Sequence, residues 1–206
     1  MEEVKIVCVL RSGGDFKPEH VQRLLSQLRE VGRWEGWFVY LSDLVIPNMG
    51  LHTEFRRLRQ KWPGWWSKLE MCAPENDCLG NIFYMDLDTT VVGDVNALAN
   101  AGQLTMLSDY DRPWLAASGL MWMTVAARQK AWEFLQRIEP ERAIKKYWRR
   151  GDQKFFAAAW ERWDGKGAAW WQKTFPGAVA FYEPGQVLGP DVRLVVHHGF
   201  PRPWQI

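Results

Sequence analysis

The sequence predicts a layered α/β domain, and three observations support this prediction. Apolar runs typical of strands alternate along the chain with segments whose apolar residues recur every three to four positions. The length of 206 residues is enough for one well-buried domain. Hydrophobic residues make up 47% and charged residues 24%, which excludes disordered, collagen-like and coiled-coil proteins. We therefore expect residues 1–206 to form a single domain.

The first β-loop-α unit opens the chain. Residues 4–10 are almost continuously apolar, as expected of a strand that is buried on both faces. Residues 11–15 form a turn, and Pro18 then begins a helix. The apolar positions of this helix follow the spacing i, i+3, i+4 and i+7, and they are Val21, Leu24, Leu25 and Leu28. The unit predicts a strand covered by a helix on one face.

The later elements follow the same alternation, without an internal repeat or a linker. Further strands are expected at residues 37–41, 82–85, 104–107, 120–123 and 192–196. Helices are expected at residues 124–138 and around the apolar stripe Phe155, Phe156, Ala159, Trp160 and Trp163. The segment from residue 175 onward is rich in glycine and proline, and its only strand pattern is the one at residues 192–196.

The lack of a recognisable targeting signal and the spacing of the cysteines predict a soluble protein with reduced thiols. The amino terminus carries no secretion or transit signal, and no apolar run is long enough to cross a membrane. A cytoplasmic protein is therefore expected, in the host cytoplasm if a phage encodes it. Cys8, Cys72 and Cys78 are odd in number and lack metal-site spacing, so they are expected to be reduced and mostly buried.

Net charge and tryptophan content bear on the partners. Lys and Arg exceed Asp and Glu by only two, so the overall field does not indicate a nucleic-acid partner. The chain contains 14 tryptophans, an excess that suits stacking on sugars or bases. Because the net charge is small, any surface that binds nucleic acid would have to be a local basic patch.

Two aspartates directly follow the predicted strand at residues 82–85. Strand side chains alternate between faces, so Asp86 and Asp88 are expected to project to the same side. Two neighbouring carboxylates are costly to bury without a positive charge between them. Ligands of open α/β sheets bind beyond the carboxyl ends of strands, and oxygen ligands favour Mn²⁺ or Mg²⁺ over zinc. The pair is interpreted as a metal site beside a phosphorylated ligand, with a solvated turn or a helix N-cap as the alternative.

A second group of polar residues follows the strand predicted at residues 192–196. His197 and His198 offer neutral nitrogen ligands, and Arg202 offers a planar fork that suits phosphate. Taken alone, the two histidines could equally be core or surface residues. Together with Asp86 and Asp88, they become candidates for a third metal ligand.

Four motifs in order resemble the retaining glycosyltransferases of family eight. They are Tyr84-Met85-Asp86-Leu87-Asp88, Ser118-Gly119-Leu120-Met121, Gly151-Asp152-Gln153 and the terminal His-Gly-x-Pro-Arg-Pro-Trp of residues 198–204. The resemblance extends over residues 4–204. It implies a single GT-A domain, with a Rossmann-like half and a mixed, mainly parallel central sheet. It also implies a nucleotide-diphosphate sugar donor, usually a UDP-sugar, and Mn²⁺.

The resemblance also assigns roles to individual residues. The family's metal-binding pair corresponds to Asp86 and Asp88, and Lys68 resembles a basic residue near the phosphates and the donor sugar. Arg202 stands where the family usually has a lysine against the diphosphate. The remaining donor-binding positions are Arg11, Ser12 and Gly13 in the first loop, Asp43 in the second, and Ser118 and Gly119. Gln153 corresponds to a glutamine near the anomeric carbon, with Asp152 and Asp109 as further candidate catalytic carboxylates.

Two departures from the family pattern matter. Ala117 stands where family members commonly have an asparagine, so one expected polar contact to the donor sugar is missing. The family's metal-binding histidine often lies three residues before the glycine of the terminal motif, and that position is Val196 here. His198, next to Gly199, is taken as the third metal ligand, with His197 as the alternative.

The acceptor is left open by the sequence. Charged and aromatic residues interleave at residues 56–66 and 142–150, which suits either a saccharide or a hydroxymethylated DNA base, as in phage DNA glycosyltransferases. The alternative is two solvated faces whose tryptophans point inward. For the whole chain, a metal-dependent phosphohydrolase and a non-catalytic carbohydrate or nucleic-acid binding module are the competing functions.

Overall fold

The first strand forms at the β-branched apolar run near the amino terminus. A computed structural model describes residues 3–164 and 167–206, without the side chains of residues 150 and 162–164. Strand β1 (Lys5–Leu10) buries both of its faces. Ile6 and Cys8 lie in one hydrophobic cluster and Val7 in another, because successive side chains of a strand alternate between faces. This central strand therefore separates two halves of the core.

Ten strands and six α-helices are described. The strands are β1 (Lys5–Leu10), β2 (Phe38–Ser42), β3 (Thr53–Arg57), β4 (Ile82–Met85), β5 (Thr89–Val91), β6 (Thr105–Ser108), β7 (Ala116–Met123), β8 (Ala169–Trp170), β9 (Val179–Phe181) and β10 (Leu194–Val196). The helices are α1 (Pro18–Glu30), α2 (Asn96–Ala99), α3 (Val125–Ile138), α4 (Pro140–Tyr147), α5 (Gly151–Asp164) and α6 (Trp171–Thr174). Short 3₁₀ helices occupy Gly64–Cys72, Pro74–Leu79, Trp148–Arg150 and Pro203–Gln205.

The central sheet has seven strands in the order β3-β2-β1-β4-β7-β6-β8. Strand β1 pairs in parallel with β2 and β4, and β2 pairs in parallel with β3. Strand β7 runs antiparallel to both β4 and β6. The predicted α/β fold with a mixed, mainly parallel sheet is therefore confirmed.

A second, three-stranded sheet in the order β5-β10-β9 lies beside the central one. The strand expected at residues 192–196 forms as β10, but it belongs to this small sheet. Its partners β5 and β9 are only three residues long, too short for a recognisable alternation pattern. The small sheet brings the carboxyl-terminal tail next to the turn that follows β4.

Helices cover both faces of the central sheet. Leu24 and Leu28 of α1 pack on the face that carries Ile6. Phe155 and Trp160 of α5 pack on the opposite face, with Leu135 of α3. The stripe predicted for this helix is confirmed for its described members, whereas the side chain of Trp163 lies outside the described residues.

A buried arginine fastens the two consecutive 3₁₀ helices to α3. The Arg128 guanidinium is fully buried and donates to the carbonyls of Met71, Asn76 and Gly80 at 2.7, 3.0 and 2.8 Å. Buried charged groups need such partners, and here the partners are backbone oxygens within and just after the two 3₁₀ helices. The clamp fixes the segment that carries Lys68.

Several elements were not predicted, and each has a physical reason. Strand β3 reads Thr-Glu-Phe-Arg-Arg and lies at the edge of the sheet, so it lacks a buried pattern. The 3₁₀ helices have a period of three residues, which matches neither the two-residue alternation of a strand nor the 3.6-residue period of an α-helix. The cysteines are all free. Cys8 and Cys72 are buried as expected, but Cys78 is exposed. Among the described residues, no helix is long and apolar enough to cross a membrane.

Candidate active site

A cavity of about 1080 Å³ opens beyond the carboxyl ends of β1 and β4. Segments from Val9 to Arg202 line it, so both ends of the chain contribute. The expected site residues that line it are Arg11, Ser12, Gly13, Lys68, Asp86, Asp88, Asp109, Ser118, Gly119, Asp152, Gln153, His198 and Arg202. Asp43 is the one expected residue outside this lining, and it contacts the cavity wall through Ser12.

The aspartate pair lies in a turn that directly follows β4. The strand ends at Met85, and the Thr89 amide donates to the Asp86 carbonyl at 3.0 Å to close the turn. Asp86 and Asp88 therefore lie beyond the end of the strand, and the alternation of side chains between strand faces does not determine their directions. The turn nevertheless brings both carboxylates to the same cavity. Asp88 is buried and Asp86 is about one-quarter exposed, so neither is the solvated turn residue of the alternative interpretation.

Lys68 joins two acidic groups on the floor of the cavity. Its ammonium lies 2.9 Å from the Asp86 carboxylate and 3.3 Å from the Asp152 carboxylate. Ser118 donates to Asp152 at 2.7 Å, and Tyr84 donates to Asp86. Burial alone would lower the pKa of Lys68, but the two carboxylates outweigh it and raise that pKa. Lys68 is therefore a fixed positive charge.

Arg202 contacts the second aspartate of the pair. Its guanidinium forms an ion pair with the Asp88 carboxylate and lies over the Phe16 ring, 5.3 Å from the centroid. Burial and the neighbouring Asp86 carboxylate raise the pKa of Asp88 to about 7, although Arg202 acts in the opposite direction. Burial likewise raises the pKa of Asp86. Burial therefore outweighs the two neighbouring cations, so both carboxylates are harder to ionise than a free aspartate.

The first loop and the loop after β2 are tied together by hydrogen bonds. The Ser12 amide and hydroxyl donate to Asp43 at 2.9 and 2.6 Å. Burial raises the pKa of Asp43, but the Ser12 hydrogen bonds outweigh it and lower that pKa. Arg11 donates to Ser67 at 2.9 Å and pairs with the buried Glu70 at 3.4 Å. Gly13 has φ +89° with open space around it, so this loop can approach a ligand closely.

The two histidines have different surroundings. His197 is buried, its Nδ1 lies 3.1 Å from the Pro201 carbonyl, and its Nε2 lies 3.4 Å from the Thr90 hydroxyl. Burial lowers the pKa of His197. His198 is exposed and stacks on Tyr110 with 4.0 Å between ring centroids. Within residues 3–164 and 167–206, no cluster of three or more His, Cys, Asp or Glu side chains could hold a metal ion.

Other side chains of the wall complete the cavity. Gln153 follows Asp152 in the first turn of α5, and the Asp109 carboxylate accepts from the Arg112 amide at 2.9 Å. A Cβ at Gly119 would lie 3.4 Å from the Asp86 Oδ2, so the absent side chain leaves room beside that carboxylate. The sequence did not indicate that Tyr84 donates to Asp86 or that Tyr110 stacks on His198, although Tyr84 stands in the aspartate motif itself.

The aromatic residues of the segment at residues 56–66 divide into two groups. Trp62 and Trp66 are buried in the core, so they are unavailable for stacking on a base or a sugar. Trp65 is exposed and lines the cavity, as does Trp148 of the second cluster. The side chain of Arg150 in that cluster lies outside the described residues.

Comparison with known proteins shows a shared fold. No protein-family model and no curated protein sequence matches the chain. The glycosyltransferase GlyE of Streptococcus pneumoniae TIGR4 is similar in structure, with a TM-score of 0.59 and 13% identity. The match covers 97% of this chain and 55% of GlyE, so the chain spans about half the length of that protein.

The galactosyltransferase LgtC gives a second structural match. Its complex with donor and acceptor sugar analogues superposes with a TM-score of 0.62 and 11% identity over 97% of this chain and 89% of that chain. An active-site mutant of LgtC gives a TM-score of 0.64 and 12% identity over the same shares of the two chains. These matches show that the chain has the α/β fold of GT-A glycosyltransferases.

Proposed function

We propose that this chain transfers a sugar from a nucleotide-diphosphate donor, a UDP-sugar, to an acceptor hydroxyl. One observation carries the proposal: the meeting of Asp86 and Asp88 with Lys68 and Arg202 in one cavity beyond β1 and β4. The two cations suit a diphosphate, and the two carboxylates suit a divalent cation bound together with it. This edge of the sheet is also where ligands of open α/β folds bind. The shared GT-A fold supports a nucleotide-sugar ligand.

The donor atoms of the aspartate pair fit Mn²⁺ or Mg²⁺. Such hard cations bind through one or two carboxylates together with substrate phosphates, so a preformed cage of three protein ligands is not required. The raised pKa values of Asp86 and Asp88 indicate that the pair favours additional positive charge. These two residues would hold the ion. His198 is not clustered with them in this structure, so it is proposed as a third ligand only once the ion is bound. When bound, the ion would act as a Lewis acid toward the diphosphate.

Lys68 and Arg202 are the chain's own groups for the departing diphosphate. The guanidinium of Arg202 presents a planar fork that matches two phosphate oxygens, and the ammonium of Lys68 acts as a point charge. Lys68 is held by Asp86 and Asp152, so it needs little reorganisation during the reaction. Charges positioned in advance stabilise the leaving group most effectively in a site that excludes water.

The nucleoside would lie against the two loops at the other end of the cavity. The loop at residues 11–15 and Asp43 are already fixed to each other by the Ser12 hydrogen bonds. Arg11 is anchored by Ser67 and Glu70, which fixes the beginning of this loop. Such pre-ordering reduces the entropy that binding must overcome.

Asp152, Ser118 and Gln153 are proposed to contact the donor sugar. Gln153 is a poor nucleophile, so retention favours attack by the acceptor hydroxyl from the face that the diphosphate leaves. The anomeric carbon then loses its bond to the phosphate oxygen and gains one to the acceptor oxygen. The acceptor proton passes to the departing phosphate. Asp109 is a further carboxylate that could orient the acceptor hydroxyl.

The test is nucleotide diphosphate release from a panel of nucleotide sugars with Mn²⁺, with a saccharide or hydroxymethylated DNA as the acceptor. Asp88→Asn should reduce turnover at least 100-fold, on the order of the loss of one electrostatic group at a reacting centre. Asp191→Asn, which changes an exposed aspartate outside the cavity, is the matched control.

Three results would contradict all or part of the proposal. Phosphate release from simple esters without dependence on a nucleotide sugar would identify a metal-dependent phosphohydrolase. Ligand binding that needs no metal and survives Asp88→Asn, with no turnover of any donor, would identify a binding module. Unchanged turnover in folded Asp88→Asn would remove the metal assignment.

A further inference from the structure

Two exposed tryptophans flank the mouth of the cavity. Trp65 is 53% exposed and Trp148 is 57% exposed, and both line the cavity. Large apolar side chains left in solvent at a concave site mark a binding surface more often than chance exposure elsewhere does. Neither residue takes part in the donor contacts described above, so they need a separate explanation.

The 3₁₀ helix Gly64–Cys72 explains why Trp65 faces the site. Its period is three residues, so positions i and i+3 lie above each other on one face. Trp66 and Leu69 form the face that enters the core, and they are both 1% exposed. Trp65 and Lys68 form the face toward the cavity, with Lys68 at the carboxylates and Trp65 one turn nearer to solvent.

The indole of Trp65 is held against the beginning of α5. A Cβ added to Gly151 would lie 2.7 Å from Trp65 Nε1 and 3.3 Å from Cε2, so the ring packs directly on this backbone. Asp152 is the next residue, and Trp148 begins the 3₁₀ turn that ends just before Gly151. Trp65 packs on Gly151, and Trp148 precedes Gly151 by three residues. Both tryptophans are therefore near Asp152, the proposed contact to the donor sugar.

The surroundings of the two tryptophans bear on the choice between a saccharide and nucleic acid. A nucleic-acid acceptor would need several cationic side chains along the cavity to hold its phosphates. Among the described side chains of the segments at residues 56–66 and 142–150, only one cation, Arg149, lies in the cavity lining, which makes nucleic acid the weaker candidate. An indole face, in contrast, packs well against the apolar C–H face of a sugar ring while the hydroxyls stay in water.

We propose that Trp65 and Trp148 form the acceptor platform and that the acceptor is a saccharide, an inference that rests on the proposed transferase function. The sugar ring stacks on the indoles at the cavity mouth. One hydroxyl points inward to the anomeric carbon of the donor beside Asp152. The platform positions the acceptor and takes no part in binding the diphosphate.

The experiment combines a binding assay with kinetics on the full chain. Saturation-transfer NMR with the methyl glycosides of glucose, galactose and N-acetylglucosamine, in the presence of UDP and MgCl₂, measures contact independently of turnover. Trp65→Ala and Trp148→Ala should each abolish the saturation-transfer NMR signal of the glycosides. Each should also raise the acceptor KM at least tenfold, with the donor KM changed less than twofold. Trp65→Tyr should recover most of the loss because it restores an aromatic face.

Trp37→Ala is the matched control, because this indole is 36% exposed and lies outside the cavity lining. It should behave as the unmodified chain in both assays. Wild-type acceptor KM values in both cavity variants, or hydroxymethylated duplex DNA accepted in place of every glycoside, would overturn the proposal. Absence of turnover with every donor, combined with tryptophan-dependent glycoside signals, would remove the transferase function and leave the platform as a saccharide site.

Discussion

Lys68 determines the electrostatic balance of the cavity floor. Its side chain is 9% exposed, and it is paired with Asp152, which is 7% exposed. Removing one partner of a buried pair leaves an uncompensated charge, which costs about 3–5 kcal/mol. Lys68→Met should therefore lower the free energy of unfolding by about that amount. Urea denaturation measures it directly.

Lys130→Met provides the control for this prediction. Lys130 pairs with Glu133 at 2.9 Å, but the two side chains are 42% and 53% exposed. Exposed pairs of this kind contribute about 0.5 kcal/mol or less, because water screens them. Equal destabilisation by both substitutions would contradict the buried-pair interpretation of Lys68. Adding Asp86→Asn to Lys68→Met should restore part of the stability, since one of the unpaired carboxylates is then neutral.

At the residue scale, the sequence predicted individual groups better than their partners. Asp86 and Asp88 could be recognised because they follow an apolar strand, and that position in an α/β sheet is where ligands bind. The partners Lys68 and Arg202 are far away along the chain, and no local pattern connects them to the aspartates. Lys68 was suggested only by the family resemblance, and Arg202 was singled out as a phosphate ligand but not as a partner of Asp88. The choice between His197 and His198 stays a prediction, because spacing does not determine which ring faces a metal.

At the scale of elements, the start of α5 is built around a glycine. Gly151 has φ +61°, and a Cβ there would meet the Trp65 ring at 2.7 Å. Gly50 has φ +77° with nothing within 4 Å, so it shares the positive φ but not the contact. Each Gly→Ala substitution should cost about 1–3 kcal/mol for the positive φ. Gly151→Ala should in addition displace Trp65 and raise the acceptor KM.

The comparison of these two variants isolates the contact with Trp65. Unfolding curves give the shared backbone cost, and acceptor kinetics give the difference. An unchanged acceptor KM in Gly151→Ala, with Gly50→Ala equally unaffected, would show that the position of the indole does not matter for the acceptor.

A titratable histidine near the amino-terminal end of α1 contacts the carboxyl-terminal tail, so the stability of this contact should depend on pH. His20 accepts a hydrogen bond from the Lys17 amide at 3.0 Å and stacks on Trp204 with 3.6 Å between centroids. Burial, followed by Arg23, lowers the pKa of His20 from 6.5. As pH falls below 6.5, His20 binds a proton more readily in the unfolded chain than in the folded chain. The free energy of unfolding therefore decreases with acidification.

The check is the change in Tm between pH 7.5 and pH 5.5. His20→Gln keeps a side-chain acceptor but removes the titration, so its Tm should fall less over this interval. The difference between the two slopes isolates His20, because Asp88, with its raised pKa, contributes an opposite slope to both proteins. Parallel slopes would show that His20 does not contribute to the pH dependence.

At the scale of elements, strong periodicity explains which predictions succeeded. Helix α1 begins at Pro18 as expected, and β4 spans Ile82–Met85 as expected. Helix α3 begins one residue late because Thr124 is its N-cap and accepts from the Ala127 amide. The partners of β10 could not be foreseen, since three-residue strands are selected by tertiary contacts.

At the scale of the whole molecule, the cavity depends on the complete fold. Its lining runs from Val9 to Arg202, and the small sheet brings the carboxyl-terminal tail to the aspartate turn. A ligand bound there contacts segments that come together only in the folded chain. Binding must therefore stabilise the folded state of the molecule as a whole.

This coupling gives the last prediction, a thermal shift caused by the donor product. UDP with MnCl₂ at about 100 times its Kd should add about 2.7 kcal/mol to the stability of the folded state. For a domain of this length, about 2–4 °C of Tm per kcal/mol gives a shift of about 5–11 °C. Uridine lacks the diphosphate that Lys68 and Arg202 are proposed to hold, so it should give a much smaller shift. Equal shifts with UDP and uridine would show that the cavity does not bind the diphosphate through these two side chains.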